Sequence, residues 1–220
     1  MSTRIQNILI AVAAAALAFT GWYMWREDKP MKKLPYINAV AEARNKQVDT
    51  AGKHIVSDFS LLNQSGKTVT LADFKNSIFV ADFFFTNCKS ICPVMTSQMQ
   101  RVYEKFKGDP EVKFISHTVD PARDTVESLA AYAAQHHADA SQWHFVTGDK
   151  PQLYELARKS YFVSTTEGNG GADDFVHSQL FSLVDKEGYV RGIYDGTDSS
   201  EVDRLMIDME TLLKGYRLDK

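Results

Sequence analysis

The chain has 220 residues and a formal net charge of −3, with 25 Lys and Arg against 28 Asp and Glu, and 44% of its residues are hydrophobic. This length and composition support one domain of ordinary size with an appendage. The sequence has no basic excess and no cluster of Lys and Arg interleaved with aromatic residues, which argues against nucleic acid as a partner. Neither common Gly-rich phosphate-loop pattern is present, so nothing indicates a bound nucleotide.

The first predicted element is an apolar stretch at the N-terminus. The 21 residues between Arg4 and Arg26 include only two strongly polar side chains, and about 20 apolar residues suffice to cross a bilayer. The stretch ends in three aromatic residues typical of a membrane interface, Trp22, Tyr23 and Trp25. We predict a retained anchor over residues 1–25. A cleavable signal peptide is the alternative, because Ala16-Leu17-Ala18 has the small residues of a cleavage site.

Residues 26–50 are polar and proline-containing, which predicts a tether, and residues 51–220 are predicted to form the folded domain. Counting Lys and Arg around the anchor favours the wrong side for a secreted domain, but long domains translocate largely regardless of such charge. The anchor has no Cys for lipid attachment and does not resemble an organelle transit peptide. We expect a single-pass protein of the bacterial inner membrane with its soluble domain on the periplasmic side.

The predicted domain begins with a hairpin and a buried strand. Residues 55–62 and 68–71 flank a loop that contains Gly66, and residues 78–85 form a continuous apolar run typical of a strand buried on both faces. The later predicted elements are strand 112–119, helix 124–137, strand 144–147, helix 151–161, strands 180–185 and 189–194, and helix 199–214. This order predicts an α/β sandwich with a central mixed sheet.

A helix is predicted directly after the buried strand, beginning near Ser90. Ser90 is expected to be its N-cap, and Pro93 suits the first turn, where a missing N–H costs nothing. Its apolar stripe repeats at spacings of four, three and four, through Met95, Met99, Val102 and Phe106. That spacing predicts that the two methionines pack in the core, although thioether ligation of a metal is the alternative.

The two cysteines of the chain, Cys88 and Cys92, lie where this strand meets this helix. In α/β sheets, ligands bind beyond the carboxyl ends of the strands, and a helix N-terminus stabilises a thiolate. Two thiolates so placed can bind a soft metal or, if their Cα atoms are about 5 to 6 Å apart, form a disulfide. A purely structural disulfide, or ordinary buried cysteines, is the alternative.

Two sulfurs leave a metal site incomplete, and His177 is the predicted third ligand. The other five histidines fall within or at the ends of predicted strands and helices, whereas His177 ends a loop, residues 165–177, with three glycines. Glycines allow such a loop to move, so the ligand could swing in and out. The alternative is a loop histidine that caps the following strand.

Three separated motifs resemble the Sco/SenC family of copper-delivery proteins. They are DFFFTNCKSICPVMT at 82–96, TVDPARDT at 118–125, and HSQLFSLVD at 177–185 followed by Gly188. The similarity covers residues 55–214 in the same order and spacing. The long Gly-rich stretch before His177 is looser than is usual for the family.

The resemblance implies a thioredoxin-like fold, a membrane anchor, and copper, as Cu(I) or Cu(II), held by Cys88, Cys92 and His177. It also implies a role in maturing the binuclear copper site of cytochrome c oxidase, whose copper-site subunit, or a similar copper protein, would be the partner. Asp120 belongs to the family's Val-Asp-Pro element near the site. Its carboxylate either orients the site or caps the turn before Pro121.

Two other chemistries fit a dithiol of this kind. The first is a thiol-disulfide oxidoreductase or redox sensor, in which Cys88 and Cys92 are the catalytic residues. Such enzymes usually have two residues between the cysteines and a proline before the strand that faces them, whereas this chain has three residues and no proline there. The second is a thiol peroxidase, which places a Thr three residues before its reactive Cys, whereas Thr86 is two residues before Cys88.

Overall fold

The computed structural model describes residues 7, 12–20, 22, 34–37, 54–164 and 176–218. The chain divides into two compact units, Met1–Lys32 and Lys33–Lys220. Residues 12–20 of the first unit are helical. No helix within the described ranges is both long enough and apolar enough to span a bilayer. The predicted anchor and tether lie largely outside the described residues, so the boundaries 1–25, 26–50 and 51–220 stay predictions.

The second unit is built on one seven-stranded sheet. Its strands are β1 Ser60–Asn63, β2 Thr68–Thr70, β3 Ile78–Phe84, β4 Val112–Thr118, β5 Trp143–Thr147, β6 Leu180–Val184 and β7 Val190–Asp195. They lie in the order β2-β1-β5-β4-β3-β6-β7. The strands β3, β4 and β5 are parallel, and every other neighbouring pair is antiparallel. The predicted mixed sheet and N-terminal hairpin are therefore confirmed.

Three α-helices of the second unit connect these strands, and a fourth follows β7. They are α1 Cys92–Phe106, α2 Val126–Gln135, α3 Lys150–Glu155, which continues as a π-helical turn Leu156–Ser160, and α4 Ser199–Leu218. Residues of α1, α2 and α4 contribute to a core on one face of the sheet, and residues of α3 contribute to a core on the other. All seven residues of β3 are buried, as the apolar run predicts, because both faces of this strand are covered.

One predicted N-cap and one predicted helix start are wrong. Helix α1 begins at Cys92 with Ile91 as its N-cap residue, and no side chain caps it, so Ser90 is not the N-cap. Pro93 lies in the first turn and the stripe from Met95 to Phe106 is buried, as predicted. Helix α2 begins at Val126, not at residue 124, because the hydroxyl of Thr125 accepts the N–H of Ser128 as the cap.

A short N-terminal segment, residues 34–37, belongs to the second unit. Ile37 donates its N–H to the carbonyl of Val190 in β7 at 2.8 Å, and Leu34 is buried in the core. The guanidinium of Arg191 donates to the carbonyls of Leu34 at 2.5 Å and Pro35 at 3.0 Å. Residues that the sequence assigns to the tether therefore contact the domain at the edge of its sheet.

Candidate functional site

The candidate site forms where β3 ends and α1 begins. The carbonyl of Phe85 accepts the N–H of Cys88 at 3.2 Å, which closes a turn with Thr86 and Asn87 at its centre. The backbone of Phe85 also acts on the Cys92 sulfur, where it lowers the pKa of Cys92 against the larger effect of burial. Phe85, directly after β3, therefore interacts with both cysteines.

Both cysteines are free thiols, and their environments differ. Cys88 is partly exposed. Burial by itself raises the pKa of Cys88, but hydrogen bonds from the Cys92 thiol, from the backbone of Ser90 and Cys92, and from the Ser90 hydroxyl outweigh burial and lower this pKa below its ordinary value. The Ser90 hydroxyl, which the sequence assigns to the helix cap, instead lies 3.6 Å from the Cys88 sulfur.

Cys92 is only 4% exposed. Burial, together with the hydrogen bond it shares with Cys88, raises the pKa of Cys92 to about 12. Near neutral pH, Cys88 is therefore the sulfur that reaches solvent and forms a thiolate more readily, while Cys92 holds its proton. An incoming metal ion or disulfide meets Cys88 first.

A buried carboxyl group, Asp82, lies near the thiols on the α1 side of β3. Asp82 is 2% exposed, and its Oδ1 atom has no hydrogen-bond partner among the described residues. Burial raises the pKa of Asp82 to about 7, although a hydrogen bond with the Ser116 side chain opposes the rise. Its charge, when present, adds to the raised pKa of Cys92. Asp82 has no role in the sequence-based prediction, although a carboxyl inside a continuous apolar strand is a visible signal.

A second buried carboxylate, Asp124, joins the cysteine turn to the loop that follows β4. Asp124 is 1% exposed. It accepts the N–H of Thr86 at 3.2 Å and the hydroxyl groups of Thr86 and Thr118, both at 2.5 Å. The sequence analysis assigned Asp124 to a helix and gave it no role, since its partners are 38 and 6 residues away along the chain.

Asp120, the acidic residue of the Val-Asp-Pro element, lies in that same loop. Its N–H donates to the hydroxyl of Thr118 at 2.9 Å, and its carbonyl accepts the N–H groups of Arg123 at 3.0 Å and Asp124 at 2.9 Å. Its carboxylate contacts the guanidinium of Arg123 at 3.3 Å. The backbone of Asp120 therefore shapes the turn before α2, while its carboxylate contacts Arg123; both predicted roles of that carboxylate, orienting the site and capping the turn, stay predictions.

His177 lies at the same end of the sheet as the cysteines. Strand β6 runs antiparallel to β3, so it starts where β3 ends, and His177 precedes β6 by three residues. The histidine is exposed. Its neighbour Val176 is buried, and Gln179 is held by a 2.7 Å bond from the N–H of Gly196 to its carbonyl. The rest of the predicted mobile loop, residues 165–175, lies outside the described residues.

The structure therefore brings two of the three predicted ligands together. Cys88 and Cys92 lie close enough for each thiol to shift the pKa of the other. Within the described ranges, no three side chains of His, Cys, Asp or Glu are grouped closely enough to hold a metal ion. The assignment of His177 as the third ligand stays a prediction. The methionine alternative does not fit, because Met95 and Met99 are both 0% exposed in the core.

A mixed sheet with helices on both faces, and a dithiol where a central strand meets a helix, define a thioredoxin-like protein. The chain belongs to the SCO1/SenC family, whose model matches residues 47–214. It is 35% identical to the SCO1 protein homolog of Bacillus subtilis over 158 residues, which cover 71% of this chain and 81% of that protein.

Solved structures agree with this assignment. BsSco, a member of the Sco family of cytochrome c oxidase assembly proteins in which a disulfide switch was identified, is 33% identical, with a TM-score of 0.62 over 76% of this chain and 98% of that one. Arabidopsis thaliana ScoI with copper bound is 25% identical, with a TM-score of 0.56 over 73% of this chain and 99% of that one. The expected family and thioredoxin-like fold are confirmed.

Proposed function

We propose that this protein is a copper metallochaperone that delivers copper to the binuclear copper site of a cytochrome c oxidase or a similar copper protein. The observation that carries the proposal is the pair of free, interacting thiols at the end of β3, each of which shifts the pKa of the other. It is supported by membership of a family in which a relative is described with copper bound and another belongs to cytochrome c oxidase assembly proteins.

The donor set suits copper as a cargo. Thiolates are soft ligands, and together with one imidazole they favour copper over magnesium or calcium, with zinc as the chemical competitor. Cys88, Cys92 and His177 are the proposed ligands. The lowered pKa of Cys88 makes it the sulfur that binds the ion first, and Cys92 loses its proton to the metal. Since Cys88 and His177 both reach the surface, an acceptor can replace these ligands one at a time.

The test is a copper titration of the full chain, reduced and free of oxygen, with Cu(I) and Cu(II) in separate experiments. We expect one ion to bind and Cu(II) to give a sulfur-to-copper charge-transfer band. Both should disappear in Cys88→Ser and Cys92→Ser, and His177→Asn should shift the band. No copper bound by the reduced wild-type protein would refute the proposal.

His137→Asn is the matched control for the histidine. His137 is also exposed, but it lies beyond the C-terminal end of α2, at the opposite end of the sheet from the thiols. Its backbone has a φ of 52°, which Asn tolerates well. A His177→Asn variant whose band and affinity match those of His137→Asn would remove His177 from the ligand set.

We also propose that residues 1–25 anchor the protein in the bacterial inner membrane, with the domain on the periplasmic side. The support is the 21-residue stretch between Arg4 and Arg26 with its aromatic end. We expect the full chain, but not residues 26–220, to stay with the membrane after carbonate extraction. An alkaline phosphatase fused to the C-terminus should be active. Release of the full chain by carbonate would contradict the anchor. An inactive fusion would contradict the periplasmic orientation.

A thiol-disulfide oxidoreductase or redox sensor that acts on a copper protein is the second candidate. It is favoured by the contact between the two thiols and by the unequal pKa values of Cys88 and Cys92, since such enzymes pair an accessible thiolate with a buried partner. The reduction potential of the Cys88–Cys92 couple distinguishes the oxidoreductase from the copper metallochaperone. A potential far below that of extracytoplasmic dithiols would make an oxidant role untenable.

A further inference from the structure

We propose that Asp124 is the positioning residue of the copper site: its carboxylate fixes the turn that sets both sulfurs. The expected changes in copper affinity and in the charge-transfer band rest on the proposed function. The expected changes in the reduction potential and in hydrogen exchange at the Thr86 amide can be measured without copper.

Three donor groups converge on the buried carboxylate of Asp124. Asp124 is 1% exposed and accepts three hydrogen bonds from two threonines, of which two come from hydroxyl groups at 2.5 Å. A buried carboxylate is costly unless it is hydrogen-bonded in this way. Among the described groups that contact its oxygens there is no cation, so Asp124 is held by hydroxyl and amide donors and not by an ion pair.

Thr86 lies inside the cysteine turn. It is the first central residue of the turn that the N–H of Cys88 closes on the carbonyl of Phe85. Asp124 holds this residue by its backbone N–H and by its hydroxyl, which restrains both the peptide plane and the side chain. Since the N–H of Cys88 closes this turn on the carbonyl of Phe85, restraining the turn restrains Cys88, and Cys92 begins α1 four residues further on.

The carboxylate of Asp124 is also bound by Thr118. Thr118 is the last residue of β4, a strand fully paired with β3 up to Phe84. Its hydroxyl donates to Asp124 and accepts the N–H of Asp120 at 2.9 Å. The carboxylate therefore ties the cysteine turn to the rigid end of the neighbouring strand. Groups that orient metal ligands in this indirect way commonly change metal affinity by about 10- to 100-fold when they are removed.

The experiment compares Asp124→Ala and Thr86→Val with the wild-type full chain. We expect faster hydrogen exchange at the Thr86 amide in both variants and a changed Cys88–Cys92 reduction potential in the copper-free protein. The charge-transfer band should shift, and copper affinity should fall about 10-fold in Asp124→Ala and less in Thr86→Val. Thr86→Ser keeps the hydroxyl and should restore wild-type values.

Asp139→Ala is the control for loss of a loop carboxylate. Asp139 accepts the N–H of Ser141 at 2.8 Å in the loop before β5, at the opposite end of the sheet. It should lower stability without moving the band, the copper affinity or the potential. If Asp124→Ala does not fold, Thr86→Val and Thr86→Ser decide the question, because neither changes the charge.

The inference is overturned if folded Asp124→Ala and Thr86→Val keep the copper band, the affinity and the potential of the wild type. A wild-type protein that binds no copper would refute the proposed function instead. In that case the potential and the Thr86 amide exchange of the copper-free variants still decide the role of Asp124, and unchanged values of both would refute it.

Discussion

The two ends of the central sheet hold their buried carboxyl groups in opposite ways. At the end away from the thiols, Asp185 is 1% exposed and pairs with Arg191 at 2.7 Å. At the thiol end, Asp82 is 2% exposed and has a hydroxyl partner, Ser116, but no ion pair among the described residues. The first arrangement stabilises the fold. The second leaves a carboxyl group with a pKa near neutral pH beside two reactive sulfurs, which is typical of functional sites.

Charge pairing extends across the end away from the thiols. Lys186 and Arg217 both contact Glu111, at 2.5 and 2.7 Å, and Arg217 also contacts Asp109 at 2.8 Å. The thiol end has one ion pair between Asp120 and Arg123, but the groups that contact the cysteine turn are hydroxyl groups, from Ser90, Thr86 and Thr118. Hydroxyl groups can donate or accept, so they accommodate a group whose charge changes, such as a thiol that becomes a thiolate.

The largest expected effect comes from breaking the charge pair. Arg191→Met should lower the free energy of unfolding by about 3 to 5 kcal/mol, because it leaves Asp185 buried without a cation. It also removes the donors to the carbonyls of Leu34 and Pro35. Urea unfolding measures the loss. Arg101→Met, in an exposed pair with Asp203, should cost less than about 1 kcal/mol. Equal losses in the two variants would contradict the comparison.

The next effect concerns Asp82 and pH. Its folded pKa, about 7, lies above the ordinary 3.8, so between these values the folded state keeps a proton that the unfolded state has lost. This contribution favours folding below about pH 4 and is lost as the pH rises to about 7, by up to roughly 4 kcal/mol. Asp82→Asn has no such loss, so its stability relative to wild type should rise over this interval. If the difference in free energy of unfolding between Asp82→Asn and wild type is the same at pH 4.5 and pH 7.5, the raised pKa of Asp82 is contradicted.

A smaller effect distinguishes the two sulfurs. The pKa of Cys88 is lowered from 9.0, and that of Cys92 is raised to about 12. At pH 8, iodoacetamide should therefore modify Cys88 of the reduced, copper-free wild-type protein at least about 100-fold faster than Cys92. Mass spectrometry measures both rates. Similar rates in the native state would mean that the two thiols are equivalent.

The smallest effect tests the role of Ser90. Because Ser90 does not cap α1, Ser90→Ala should change the free energy of unfolding by less than about 0.5 kcal/mol, whereas loss of an N-cap typically costs about 1 kcal/mol. Thr125→Ala, at the true N-cap of α2, is the matched control and should show the larger cost. A loss in Ser90→Ala equal to that in Thr125→Ala would restore Ser90 as a cap.

The sequence predicts elements well where the signal is local. The hairpin around Gly66, the buried strand β3 and the stripe of α1 all follow from periodicity and turn chemistry, and all three are confirmed. Helix ends were less reliable. Ser90 is predicted to cap α1 and Asp124 to begin α2, but the Ser90 hydroxyl lies near the Cys88 sulfur instead, and the Asp124 carboxylate binds Thr118 and the distant Thr86.

The sequence by itself determined that two thiols stand where a buried strand meets a helix, because a strand–helix junction and a pair of cysteines are both local features. Only the tertiary structure decided which thiol keeps its proton, which carboxylate fixes their turn, and where residues 34–37 lie. These outcomes depend on burial and on hydrogen bonds between residues far apart in the chain, such as Thr86 with Asp124 and Arg191 with Leu34. Such contacts exist only once the sheet has brought its strands together.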